Sequence, residues 1–185
     1  GKLISHTPHV SLFVMMPFGD RYSLFEQALR QVLEDDPYYF QIILARDRTM
    51  DPNLFENVKA HMKMVHGFIA ELSDLSPNVM LELGMTESDT EHRPVIILRL
   101  SECKESIPAD LKGRLYLEYS LPENCEFITV DKLADQLRGK FSTIEAIDQL
   151  RKRRSSRYLS QVYLRRKFGS RLSPDEIKNI CKAFL

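Results

Sequence analysis

Cysteine is scarce: Cys103, Cys125 and Cys181 are the only three in 185 residues, an odd number at wide spacing. Such a set cannot build a disulfide framework and offers no metal-ligand spacing; it fits reduced thiols in a cytoplasmic setting. His61 and His66 have no cysteine or acidic neighbour at ligand spacing, so neither a metal nor any other cofactor is expected. Long apolar runs are missing too. The longest are strand-sized, which excludes a membrane-crossing helix and a membrane partner on this reading. The opening GKLISHTPH lacks the apolar core of a secretion signal. Charge of one sign is absent overall: 26 basic residues face 26 acidic ones, so any attraction to nucleic acid must be local. No GxGxxG, Walker A or GxSxG pattern occurs, which removes support for dinucleotide dehydrogenases, P-loop nucleotidases and α/β-hydrolases.

What is present is a regular alternation. VSLFVMM (10–16) is a continuous apolar run ending at Pro17-Phe18-Gly19-Asp20, as a buried parallel strand would be. Residues 21–35 carry Leu24, Phe25, Ala28, Leu29, Val32 and Leu33 at helical spacing. YFQIILA (39–45) reads as a second strand, followed by the charged loop Arg46-Asp47-Arg48. A helix is expected over 53–65, a third strand at GFIAEL (67–72), and a third helix from Pro77 to about Ser88, with Ser76 as its N-cap. PVIILRL (94–100) and RLYLEYS (114–120) complete the strands, and a helix follows over 131–139. The alternation predicts an α/β fold with a doubly wound, mostly parallel, five-stranded sheet and helices on both faces. Ligands of such sheets bind beyond the carboxyl ends of the strands, where the loops after the first three strands would converge.

Glu82 is the residue of interest on that edge. It follows Asn78 by four positions, so both share one helix face near the helix start, with Ser73 and Asp74 at the strand end before it. Two readings compete: a solvent-facing Glu on an amphipathic helix, or a carboxylate in a polar site. A Glu, an Asp, an Asn and a Ser around one small ligand suit ribose chemistry. The carboxylate can attack an anomeric carbon or stabilise its oxocarbenium-like transition state, Asp and Asn can hold ribose hydroxyls, and the helix N-terminus can receive a phosphate.

At these residues the chain resembles the nucleoside 2-deoxyribosyltransferase-like group, which is related to TIR domains that cleave NAD. FVMMPF at the first strand, ELSDLSPNVMLELG at the third strand and its helix, RPVIIL, and IPADLKGRLYLEY carry the resemblance, over about residues 10–120. It implies a flavodoxin-like or TIR-like sheet domain over 1–140. Glu82 takes the place of the group's nucleophile or transition-state stabiliser for N-glycosidic cleavage, in E-L-G. The strand-end acid of the pattern corresponds to Glu71 or to Asp74. The resemblance places Phe18 beside the base, with Pro17 as a further substrate-binding residue, and Arg46 and Asp47 in the group's Arg-Ala-Asp stretch. Ser76 stands where the group has Asn, Leu81 replaces its aromatic residue, and MTESDTEHRP follows the Gly where the group is apolar. The implied substrate is NAD or a nucleoside monophosphate, hydrolysed or transferred, and TIR kinship implies assembly into oligomers and a part in antiviral defence through NAD depletion. The alternative is a nucleotide-sensing module without turnover.

From residue 141 to 185 the composition changes. Ser142 with Glu145 reads as a capping box opening a long helix, followed by RKRRSSRYLSQVYLRRKFGSR and a last helix from Ser173-Pro174. Arg151, Arg153, Arg154, Arg157, Arg165 and Arg166 make this helical extension basic, for nucleic acid or an acidic partner; a solvated helix face is the other reading.

Overall fold

The computed structural model describes residues 10–46, 53–89, 91–103, 116–121 and 129–152, with the single residues 106, 108, 111 and 173. Five strands form one sheet in the order β2-β1-β3-β4-β5, every neighbouring pair parallel. They are β1 (Ser11–Met15), β2 (Gln41–Ile43), β3 (Gly67–Glu71), β4 (Val95–Leu100) and β5 (Tyr116–Tyr119). The helices are α1 (Asp20–Leu33), α2 (Leu54–Met62), α3 (Pro77–Thr86), α4 (Val130–Phe141) and α5 (Glu145–Lys152). The chain order reverses between β1 and β3, which makes that gap the topological switch point of a doubly wound fold.

Strand alternation divides the interior in two. Leu12, Val14 and Ile69 face a core built with Phe25 and Leu29 of α1 and Leu133 and Leu137 of α4. Phe13, Met15, Phe68 and Ala70 face the opposite side, against Val58 and Met62 of α2 and Val79 and Leu83 of α3. Because both faces are covered, β1 and β3 are buried at every position, which is why they read as unbroken apolar runs. Gly67 opens β3 where space is shortest: a Cβ there would lie 3.1 Å from the Leu12 side chain and 3.2 Å from the Pro94 carbonyl oxygen.

The second strand is shorter than the run at 39–45 suggests. Tyr39 takes a left-handed backbone (φ 52°), and Ala45-Arg46 already turn. Its outer edge is closed by side chains from α1 and its C-cap: Arg30 Nη1 donates to the Ile42 carbonyl (3.1 Å), and Oε1 of the C-cap Glu34 accepts from the Ile42 amide (3.2 Å). A 3.0 Å ion pair joins the two side chains, so part of an open edge is matched by a built-in substitute for a neighbouring strand.

One cap position matches the sequence reading and one differs. Ser76 holds the N-cap position of α3 with Pro77 first in the helix, but its side chain makes no capping hydrogen bond. Ser142 opens no helix; it is the C-cap of α4, and its hydroxyl donates to the Gly139 carbonyl (2.7 Å). A trailing carbonyl captured the hydroxyl, so the turn 142–144 separates α4 from α5. Ile147 and Leu150 of α5 are buried in the same core as α1 and α4, so the chain just past residue 141 packs as part of the sheet domain. No described helix is long and apolar enough to cross a membrane.

Candidate functional site

At the carboxyl ends of β1, β2 and β3 a cleft of about 620 Å³ opens between α2 and α3. Each wall follows from local structure. Pro17 and Phe18 come from the loop leaving β1, Ala45 from the turn after β2, and Asn53 and Phe55 from the start of α2. Asn53 is fixed as the N-cap of α2, its Oδ1 accepting from the Phe55 and Glu56 amides (3.0 and 3.4 Å). Ser76, Asn78, Leu81 and Glu82 come from the start of α3, and Met16, Val58 and Met85 supply apolar wall.

Glu82 is the only ionisable side chain lining this cleft among the described residues. It has no hydrogen-bond or ion-pair partner among them, and burial among apolar groups pushes its carboxyl up from the ordinary 4.5 to about 7. The mouth is unusually apolar. Phe18, Phe55 and Leu81 are 57%, 42% and 56% exposed, although large hydrophobic side chains at a surface normally find cover. The first turn of α3 also opens here without a side-chain cap. A flat apolar group could rest against these lips while a sugar reaches Glu82 and Asn78.

The structure brings Pro17, Phe18, Asn78 and Glu82 together at the cleft, as their positions in the sequence suggest. Arg46 stands behind Phe18 rather than in the lining: its guanidinium lies 5.4 Å from the Phe18 ring centroid, and it is ion-paired with Glu26 of α1. Asp47 lies outside the described residues. Ser73 and Asp74 do not line the cleft. Ser73 is buried, its hydroxyl donating to Glu71 and accepting from the Leu100 amide (2.8 Å). Asp74 accepts a hydrogen bond from the Tyr22 hydroxyl on α1, on the other side of the sheet edge. Of the basic positions, Arg151 binds Asp148 within α5 (2.6 Å), and Arg153, Arg154, Arg157, Arg165 and Arg166 lie outside the described residues.

Asn53, Phe55, Tyr22 and Tyr119 take part in the site or its support and were not singled out from sequence. Asn53 had a readable signal, a capping residue immediately before a helical run. The tyrosines had none, because their partners are 52 and 48 residues away in the chain. A second cavity, of about 400 Å³, lies farther along the same two helices, beyond Met85, and no residue proposed from the sequence lines it.

Fold and site together define a doubly wound, flavodoxin-like α/β protein with a desolvated carboxylate in a cleft at its switch point. No family model matches the chain, and no curated protein does. Among solved structures, the constitutive lysine decarboxylase of E. coli is similar over 85% of this chain and 20% of its own, with a TM-score of 0.36 and 14% identity. The chain thus spans about a fifth of that enzyme's length.

Proposed function

We propose that this protein is a nucleotide-processing N-glycosidase that cleaves or transfers the base of NAD or a nucleoside monophosphate, using Glu82. The observation that carries the reading is the placement of Glu82: a carboxylate without a partner among the described residues, inside an apolar cleft at the switch point. When the bond from C1′ to the base nitrogen breaks, the electron pair leaves with the base and positive charge develops on the sugar. An anionic Glu82 stabilises that charge or bonds to C1′, and water or a second base then completes hydrolysis or transfer. A site that excludes water strengthens this attraction. Phe18, Phe55 and Leu81 offer a surface for the departing base, and Asn78 a partner for a ribose hydroxyl. The resemblance to nucleoside 2-deoxyribosyltransferase-like and TIR proteins points the same way, and extends the proposal to an oligomeric, NAD-depleting defence protein whose basic extension contacts nucleic acid or a partner.

One observation favours a second reading. A carboxyl that titrates near neutrality is partly neutral when the cell needs its charge, which suits a nucleotide sensor without turnover. Base release separates the two. Glu82→Gln keeps shape and hydrogen bonding, and is expected to lower release from NAD, nucleoside monophosphates or nucleosides by at least about a hundredfold, or roughly 2.7 kcal/mol of transition-state stabilisation. Chromatography of products at matched thermal stability reads this. Equal rates would remove Glu82 from the chemistry, and tight nucleotide binding without release in either protein would establish the sensor.

A further inference from the structure

Glu71, the last residue of β3, is fully buried yet does not line the cleft. It shares strand parity with Ile69, so it faces the α1 and α4 side of the sheet, opposite to α2 and α3. Its Oε1 accepts three hydrogen bonds: from the Ser73 amide (3.2 Å), from the Ser73 hydroxyl, and from the Tyr119 hydroxyl (3.0 Å). Its Oε2 is buried without a partner among the described residues. Through Ser73 and Tyr119 the bonds lead to two different parts of the sheet. Tyr119 ends β5 and stacks on Phe25 of α1, with centroids 5.0 Å apart. The Ser73 hydroxyl accepts from the Leu100 amide of β4 (2.8 Å), and the Ser73 carbonyl accepts from the Cys103 thiol (2.7 Å). Burying a carboxyl is costly, and replacing it with an apolar side chain would be the simpler way to fill this space.

What the cluster holds is the turn that launches α3. Ser73 sits inside it, the Leu75 amide donates to the Leu72 carbonyl (3.4 Å), and Leu75 takes a left-handed backbone (φ 44°) that a leucine adopts only when its surroundings impose it. α3 begins two residues later, at Pro77, and Glu82 lies on its second turn. We propose that Glu71 is a positioning residue for Glu82: by tying the β3–α3 turn to β4 and β5, it sets the angle at which α3 leaves the sheet and so the place of Glu82 in the cleft. The role rests on the reading of Glu82 as the working carboxylate, and it differs from a substrate-binding role for a strand-end acid because Glu71 faces away from the cleft. Burial raises the Glu71 carboxyl, which favours its neutral acid form, and Gln, which keeps one carbonyl oxygen to accept the same three donors, is the fitting replacement.

The test reads the position of Glu82 through its own ionisation, followed by carbon NMR of the labelled side-chain carboxyl in the full chain. Glu71→Leu and Ser73→Ala are expected to loosen the turn, admit water to the cleft, and lower the Glu82 midpoint from about 7 by at least about one pH unit, a tenfold change in its ionisation constant. Glu71→Gln is expected to retain the wild-type midpoint. Ser73→Ala keeps the test available if Glu71→Leu does not fold. An unchanged Glu82 midpoint in folded Ser73→Ala, with unchanged amide exchange over residues 72–79, overturns the proposal. Undiminished base release in Glu82→Gln would instead remove the catalytic reading and leave the positioning result standing.

Discussion

At the scale of single residues, the ionisation of Glu82 has opposite effects on chemistry and on stability. Below about pH 4.5 the carboxyl is protonated in both the folded and the unfolded chain and costs nothing. Between 4.5 and about 7 the unfolded chain releases the proton while the folded chain keeps it, so stability falls as pH rises. Above 7 the whole cost is present, about 1–3 kcal/mol once solvent at the cleft mouth is allowed for. Glu82→Gln should therefore melt at a higher temperature than wild type at pH 8.5 and at the same temperature at pH 4. A difference that ignored pH would mean that the carboxyl is not desolvated. Activity should run the other way, with kcat/KM rising with pH through about 7 as the anionic form accumulates. Glu82 and Asn78 were legible as a pair because helical spacing alone places i and i+4 together. Ser73 and Asp74 were not: spacing puts them at the right edge of the sheet, but the choice of side was made by Glu71, Leu100 and Tyr22, distant in sequence.

At the scale of elements, the end of α2 and the end of α3 are tied by one side chain. Arg93 donates to the Met62 and Val65 carbonyls (2.6 and 2.9 Å), pairs with Asp89 (2.7 Å), and places its guanidinium 5.0 Å from the Phe68 ring centroid. Arg93→Ala would leave both carbonyls and Asp89 without it, and should cost about 2–4 kcal/mol in urea unfolding. Asp89 is held at about 2, chiefly by its hydrogen bonds from Arg93, so its contribution is present above about pH 4 and is lost as pH falls toward 2. The β2 edge makes a different prediction. Removing its cover with Arg30→Ala and Glu34→Ala together should increase association on warming, measured by light scattering, with little change in secondary structure at low temperature. Strands and helices were readable because their apolar spacing is local, and the parallel order followed from strict alternation. The Arg93 tie, the shortened β2 and the Ser142 cap were not readable, because each depends on which of several available carbonyls or backbone shapes the tertiary structure selects.

At the scale of the molecule, the two cavities described above lie on the same side of the sheet. On one side α1, α4 and α5 enclose a continuous core around Leu12, Val14 and Phe25, closed by Ile147 and Leu150. Ile147→Ala should cost about 2–4 kcal/mol of global stability, as large-to-small changes in full cores do. On the other side, cavities of about 620 and 400 Å³ flank Met85 between α2 and α3. That arrangement predicts two tempos of motion. The side of α1, α4 and α5 should hold its amide protons until the whole molecule unfolds, while α2 and α3 exchange theirs through smaller openings that leave the sheet intact. The cleft can then admit and release a molecule by partial breathing of one layer, and an occupant should slow exchange in α2 and α3 while barely changing it in α1 and α4.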